Sequence, residues 1–229
     1  MKQVDQGIFL HRLNYSDTSL IVQFFTRSKG LRRFIFKGGK KKSHQLYPMS
    51  VSELTFFERK ESELLNLIAA DPAIPSDFQF NPTKSTIAFF LAEVVRKSIV
   101  QNDVDEPFFE FLKVQVQTLD ATESYELFPV FFLIDLSKII GVHPLITDNG
   151  SFFNLDEGVI DNHDRQDQRV LTGPEVELIK ARITGAHPAN VTRETREKAL
   201  RAMLDYFKTH VPGFNDITSY EIVKEVLHA

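Results

Sequence analysis

Ten lysines and arginines crowd the first 42 residues, with only two acids among them. They are Lys2, Arg12, Arg27, Lys29, Arg32, Arg33, Lys37, Lys40, Lys41 and Lys42, against Asp5 and Asp17. That segment carries +8, while the whole chain carries −4, so residues 43–229 carry −12. Such asymmetry points to a polyanion partner for one end of the chain. Arg33 and Lys37 alternate onto one face of a strand, and the Lys40-Lys41-Lys42 loop follows directly. Together they form a cationic strip that can hold phosphates. Phosphate contacts position a nucleic acid without reading its sequence, and they make affinity fall steeply with salt. Arg12, Lys29 and Arg32 complete the candidate set, and Tyr15 or Phe57 could stack bases. Any one of these lysines is explained as solvated surface; the argument rests on their clustering in an acidic chain.

Other chemistry finds little support. The seven histidines include no His-x-x-x-His pair, and Asn162-His163-Asp164 has no second ligand cluster near it in sequence. Cysteine is absent, which excludes a disulfide framework, a thiol nucleophile and a Cys-ligated metal. There is no Gly-x-Ser-x-Gly elbow. Gly38-Gly39-Lys40 is half a phosphate loop, without the upstream glycine or the Lys-Ser/Thr ending. Glu53, Glu58 and Glu61 read as edge-strand charges rather than paired catalytic carboxylates. Asp148-Asn149-Gly150 opens like a calcium loop but lacks the closing glutamate, so it reads as a turn. The chain reads as a binding protein, not an enzyme, with no cofactor.

The elements that must position the strip follow from periodicity. Five short strands are expected at Gly7–Tyr15, Thr18–Thr26, Leu31–Lys37, Ser52–Arg59 and Glu63–Ala70. Leu20, Val22 and Phe24 face one way, as do Phe34 and Phe36. Ser28-Lys29-Gly30 makes a tight turn, and Gly38 to Ser43 reads as a loop that packs no core. Five antiparallel strands in this length fit an OB-type barrel or, equally, a small SH3-like barrel. Asp71-Pro72-Ala73-Ile74-Pro75 breaks the pattern and opens a linker to about Asn81. Helices are expected from Asn81-Pro82, from Asp105-Glu106-Pro107, over Tyr125–Ile140, after a Thr172-Gly173-Pro174-Glu175 capping box, over Leu200–Val211 and after Thr218-x-x-Glu221. In the last of these Ile222, Val223, Val226 and Leu227 are expected to be buried. A small hairpin is expected within Phe152–Ile160. The fold class is thus α+β, with a barrel domain over 1–80 and a helical domain over 81–229. No apolar run is long enough to span a bilayer and Met1-Lys2-Gln3-Val4-Asp5 shows no signal-peptide core, so a cytoplasmic location without membrane partners is expected. Twenty-one phenylalanines and no tryptophan is a tilt for which the sequence offers no cause.

These residues also resemble a family. Gly7-Ile8-Phe9-Leu10 through Tyr15-Ser16-Asp17-Thr18-Ser19-Leu20-Ile21-Val22 resembles the opening of the RecO recombination mediators. Phe25-Thr26-Arg27-Ser28-Lys29-Gly30 is similar to their first hairpin, and Phe36-Lys37-Gly38-Gly39-Lys40-Lys41 to their basic loop. Phe131–Leu136 with Gly141 and Pro144, Phe153–Gly158, Leu200–Gly213 and Ser219–Leu227 resemble their later elements. The resemblance implies an N-terminal OB fold and a helical C-terminal domain. It implies binding to single- and double-stranded DNA, strand annealing, and help in loading RecA onto strands coated with single-strand-binding protein. RecR and the tail of the single-strand-binding protein are the implied partners, with Arg12, Lys29, Arg32, Arg33, Lys37, Lys40, Lys41 and Lys42 as DNA-binding residues. Many members carry four zinc-ligating cysteines around the positions of Ile146 to Asn162. This chain has none, so no zinc is expected and that loop must be held by packing or by the hairpin.

Two other readings of the residues compete with the DNA mediator. One is an RNA-binding barrel with a helical appendage. The other is an adaptor whose acidic helical part docks a protein while the basic strip is incidental.

Overall fold

The alternating apolar residues of the N-terminal third close into a barrel. β1 (Lys2–Asn14), β2 (Leu20–Thr26), β3 (Gly30–Phe36), β4 (Val51–Phe57) and β5 (Leu64–Pro72) follow the order β1-β2-β3-β5-β4 in the computed structural model. β1 pairs antiparallel with both β2 and β4, and β3 runs parallel to β5 with Phe36 beside Leu67. This order is the OB arrangement, and it decides between the two barrels that alternation alone left open. Closure also removes the expected edge: Glu53 lies on β4, which has β1 on one side and β5 on the other. The structure describes residues 1–58, 64–99, 104–148, 150–163, 168–188 and 191–227. Arg59, Glu61, Glu63, Asn149 and Asp164, used in the sequence reading, lie outside the described residues, as does His228, one of the seven histidines.

Five of the 21 phenylalanines fill the barrel interior. Phe9, Phe24, Phe34, Phe36 and Phe56 belong to the buried cluster, with Leu20, Val22, Leu46, Leu54, Leu65, Leu67 and Ala70 around them. The rings run edge to face: Phe9–Phe24 at 5.3 Å, Phe24–Phe34 at 5.9 Å and Phe34–Phe56 at 5.3 Å between centroids. Burying one such side chain is worth about 1.5–3 kcal/mol. Offset ring pairs add roughly 0.5–1.5 kcal/mol beyond area.

Strands give way to helices between residues 72 and 82. Asn81 caps α2 (Pro82–Ser98) by accepting from the Thr83 and Lys84 amides, with Pro82 at the first helical position. Asp105 caps α3 (Glu106–Ala121) by accepting from the Phe108 amide. Numbering by chain order, these follow the short α1 (Gly39–Lys42) that succeeds β3. The compact units divide later than the change of element type, after Glu123: Met1–Glu123 and Ser124–Ala229. The first extends so far because α2 and α3 both pack on β1, and because the outward ring of Phe25 on β2 meets Phe108 of α3. Among the described residues no helix is long and apolar enough to cross a membrane.

The second unit gathers α4 (Phe128–Ile139), α5 (Pro174–Thr184) and α6 (Arg193–His210), which pack on one another, and α7 (Tyr220–Val226). α4 is apolar nearly all round and buries Val130, Phe132, Leu133, Ile134 and Leu136; Pro129 sits in its first turn. Two sequence expectations fail here. The capping box before α5 does not form, because Thr172 ends a strand and Gly173 occupies the N-cap without a side-chain bond. In α7 only Val223 is fully buried, and Ile222 is 57% exposed. That short helix turns a single face inward, so the four apolar residues cannot all reach the interior.

Along the chain, a four-stranded sheet is inserted between α4 and α5. β6 (Leu145–Ile146), β7 (Phe152–Asn154), β8 (Val159–Asp161) and β9 (Val170–Thr172) lie in the order β6-β8-β7-β9. The expected hairpin is its β7–β8 pair, with Phe153 opposite Ile160. Gly150 has no room for a side chain: a Cβ there would sit 1.9 Å from the Asp161 carbonyl carbon.

Candidate nucleic-acid interface

β3 carries the strip from one end of the barrel to the other, and its pairing decides which cations meet. Arg33 points outward, opposite Gln23 of β2 and Leu64 of β5, and it is exposed. Two residues on, Ile35 shares that outer face with Ile21 and Asn66, and Asn66 stands opposite Phe57, 45% exposed. A cation therefore stands on a partly apolar face that also carries an aromatic ring, two strands away. That combination suits phosphates and unpaired bases together. Arg32 faces the other way, with the parity of the core residues Phe34 and Phe36. It is half-buried, donates to the Leu31 carbonyl at 3.1 Å, and burial lowers the pKa of its guanidinium from the ordinary value.

Lys37, Lys40, Lys41 and Lys42 come together where β3 leaves the barrel. All four are exposed. The expected loop is here a turn of helix, α1, anchored by the Lys40 amide on the Thr18 carbonyl at 3.3 Å. Gly39 makes the turn possible: it lies against the Phe36 ring, where an added Cβ would come within 2.7 Å of Cδ1. The loop therefore does touch the core, through a residue with no side chain. Lys42 places its ammonium 5.7 Å from the Phe36 centroid. The bond to Thr18 also brings the β1–β2 turn, and with it Tyr15 (57% exposed), to the same end. Arg12 lies two residues before the end of β1, opposite Val22, and is exposed there.

Lys29 is not part of this group. It sits in the β2–β3 turn at the opposite end and pairs with Glu58 at 2.9 Å. Arg27, beside it, donates from Nε to Glu106 of α3 at 2.9 Å. Of the eight candidates, Lys37 and Lys40–Lys42 thus cluster, Arg12 and Arg33 flank them, Arg32 is turned inward, and Lys29 is remote. Two aromatic residues near the cluster escaped the sequence reading: Tyr47, and Phe80, which is 74% exposed. A phenylalanine stranded between a Pro-broken linker and a helix cap was the available signal.

The sheet at 145–172 is where zinc would be expected from the resemblance, and its residues do not fit one. Asn154 is fully buried and its Oδ1 accepts from the Asp156 and Glu157 amides at 3.0 and 3.1 Å, while its Nδ2 donates to Gln168. Arg169 donates from Nε to Asp156 at 2.9 Å, and this pairing lowers the pKa of the Asp156 carboxyl from its usual value. His210 Nε2 lies 2.8 Å from the Leu155 carbonyl, and its ring stacks on Tyr206. Among the described residues no three His, Asp or Glu side chains gather as ligands. The polar groups of the turn bond one another, and an arginine among them repels a cation.

An OB-type barrel with a basic, aromatic-bearing end, followed by a helical unit, defines a class of nucleic-acid-binding proteins. The family follows from comparison. The model for the Recombination protein O N terminal matches residues 1–74, and that for its C terminal matches residues 79–216. The chain belongs to the RecO family. It is 28% identical to the DNA repair protein RecO of Bacteroides fragilis over 240 aligned positions, covering 99% of both chains. It is 28% identical to that of Phocaeicola vulgatus, again covering 99% of each, and 27% identical to that of Flavobacterium psychrophilum, covering 96% of this chain and 97% of the relative.

Proposed function

We propose that this chain is a non-enzymatic recombination mediator in DNA repair. It binds single- and double-stranded DNA, anneals complementary strands and assists RecA loading onto strands coated with single-strand-binding protein. Membership of the RecO family over nearly the whole chain is the observation that carries this reading. The physical support is the cluster at the end of the barrel, where Lys37, Lys40, Lys41 and Lys42 are exposed together with Arg12 and Arg33 close by. DNA contact is assigned to residues 1–80, with Lys29 and Arg32 contributing least. The acidic balance after residue 42 leaves the 81–229 part to protein partners, RecR and the tail of the single-strand-binding protein among them. The site of action is the cytoplasm, at the nucleoid.

Annealing of complementary strands coated with single-strand-binding protein tests the proposal. A mediator accelerates annealing and a generic OB binder does not. Binding to the naked strands without any acceleration on the coated ones refutes the mediator role.

A further inference from the structure

β3 and β5 run parallel, so the residues that follow each leave the barrel at the same end. Lys37–Lys42 follow β3, and Ala73–Phe80 follow β5. Where the segment after α1 faces the one after β5 lies a groove of about 500 Å³. Its walls are His44, Gln45 and Tyr47 from the segment after α1, Ser50–Ser52 at the start of β4, and, after β5, Ile74–Asp77 with Gln79 and Phe80. Lys42 and His44 are two residues apart, so their Cα atoms are at most about 7 Å from each other. The groove wall therefore begins within two residues of the lysine cluster.

We infer that this groove holds one unpaired base of a single DNA strand, stacked on Phe80, while Lys40–Lys42 hold the neighbouring phosphates. The inference rests on the DNA-binding reading above and adds a site to it. Phe80 presents a ring that is 74% exposed at the groove, where its face is open to stack on a base. Tyr47 and His44 add further flat faces. Gln45, Gln79 and Asp77 offer amide and carboxylate groups of the kind that meet base edges. The Ser50 hydroxyl, in the groove wall, is buried and makes no hydrogen bond among the described residues. A groove of this volume falls in the range of about 300–1,000 Å³ that encloses small organic ligands, which accommodates a nucleotide. The adjoining positive charge selects a polyanion's base over an apolar peptide. A paired base cannot enter, because its edge and both faces are already used in the duplex.

The chain has no tryptophan, so Phe80→Trp introduces a single indole at the groove, which can be excited apart from the five tyrosines. Oligothymidylate should quench that emission at saturation, and a blunt duplex should not. Phe80→Ala should weaken oligothymidylate binding roughly tenfold, the order expected for one lost stacking contact. It should leave duplex binding and the salt slope unchanged, since no phosphate contact is removed. Unquenched emission on a saturated strand overturns the slot, as does an equal loss on strand and duplex. If Lys40→Ala/Lys41→Ala/Lys42→Ala weakens binding while Phe80→Ala does nothing, the slot falls and the DNA reading stands. If the unaltered chain retains no single-stranded DNA at low salt, both fall.

Discussion

The Phe25 ring on β2 meets the Phe108 ring on α3 edge to face, with centroids 4.9 Å apart and planes at 79°. Phe25 is 1% exposed yet stands outside the barrel's interior cluster. The outer wall of the barrel is therefore part of a second core, closed by α3. Phe108→Ala should cost about 3–5 kcal/mol in chemical denaturation. A double-mutant cycle with Phe25→Ala should return roughly 0.5–1.5 kcal/mol of coupling. For the same reason a chain cut near residue 80 should be less stable than one cut after Glu123, which a comparison of melting temperatures would show. Equal stability would mean that α3 is dispensable to the barrel.

Replacing Lys40, Lys41 and Lys42 together with alanine should flatten the dependence of log affinity on log salt by about two to three units, at roughly 0.7–0.9 per phosphate contact. All DNA sequences should weaken alike, because phosphate contacts carry no sequence information. Lys29→Ala should leave the slope as it is, given its pairing with Glu58 at the opposite end. Titrations at several salt concentrations check both, and an unchanged slope in the triple variant removes α1 from the interface.

The 145–172 sheet is held by hydrogen bonds, and its predictions follow from them. Asn154→Ala strips the Asp156 and Glu157 amides of their acceptor, at a cost of about 1–3 kcal/mol where such groups stay buried. Metal chelators should leave the melting temperature unchanged. Asp156 titrates below its usual range in the folded chain, so the stability it contributes is present above the unfolded carboxyl pKa and disappears as pH falls through the folded one. Asp156→Asn should remove that part of the acid sensitivity in pH-dependent denaturation.

His11 and His143 give stability a second pH dependence. Burial is the main cause that lowers both pKa values; Arg96 adds to it at His11 and Lys138 at His143. The unfolded chain then binds more protons than the folded one once pH falls below the ordinary histidine value of 6.5. The stability of the neutral rings is thus complete above that value and declines as pH falls toward the folded values. Denaturant midpoints should drop between pH 7.5 and 5.5, and His11→Gln/His143→Gln should shrink the drop. A midpoint that rose on acidification would contradict the burial of these rings.

Alternation, the Asn81 and Asp105 caps and charge were local properties, and they were legible, whereas the box at Thr172 gave way to strand pairing with Phe152. Leu20, Val22, Phe24, Phe34 and Phe36 declared the inward face of their strands, and Asn81 and Asp105 declared the starts of α2 and α3. The lysine cluster was visible because like charges close in sequence stay close in space. The choice between barrel types was not legible, because it lies in the pairing of β3 with β5, strands separated by the whole of β4. Nor was the separation of Lys29 from Lys40–Lys42, or the inward turn of Arg32: the register of a strand and its place in a closed sheet decide which end and which face a cation occupies. The hairpin and the missing cysteines could be read directly, but not what replaces a metal there, since Asn154 and Gln168 bond across fourteen residues of chain. By itself the sequence determined the five barrel strands, the starts of α2 and α3 and the cationic segment, since these depend on neighbours within a turn or two. Only the tertiary structure decided which cations share a surface and what lies beside them, because those distances are set by strand pairing between residues far apart in the chain.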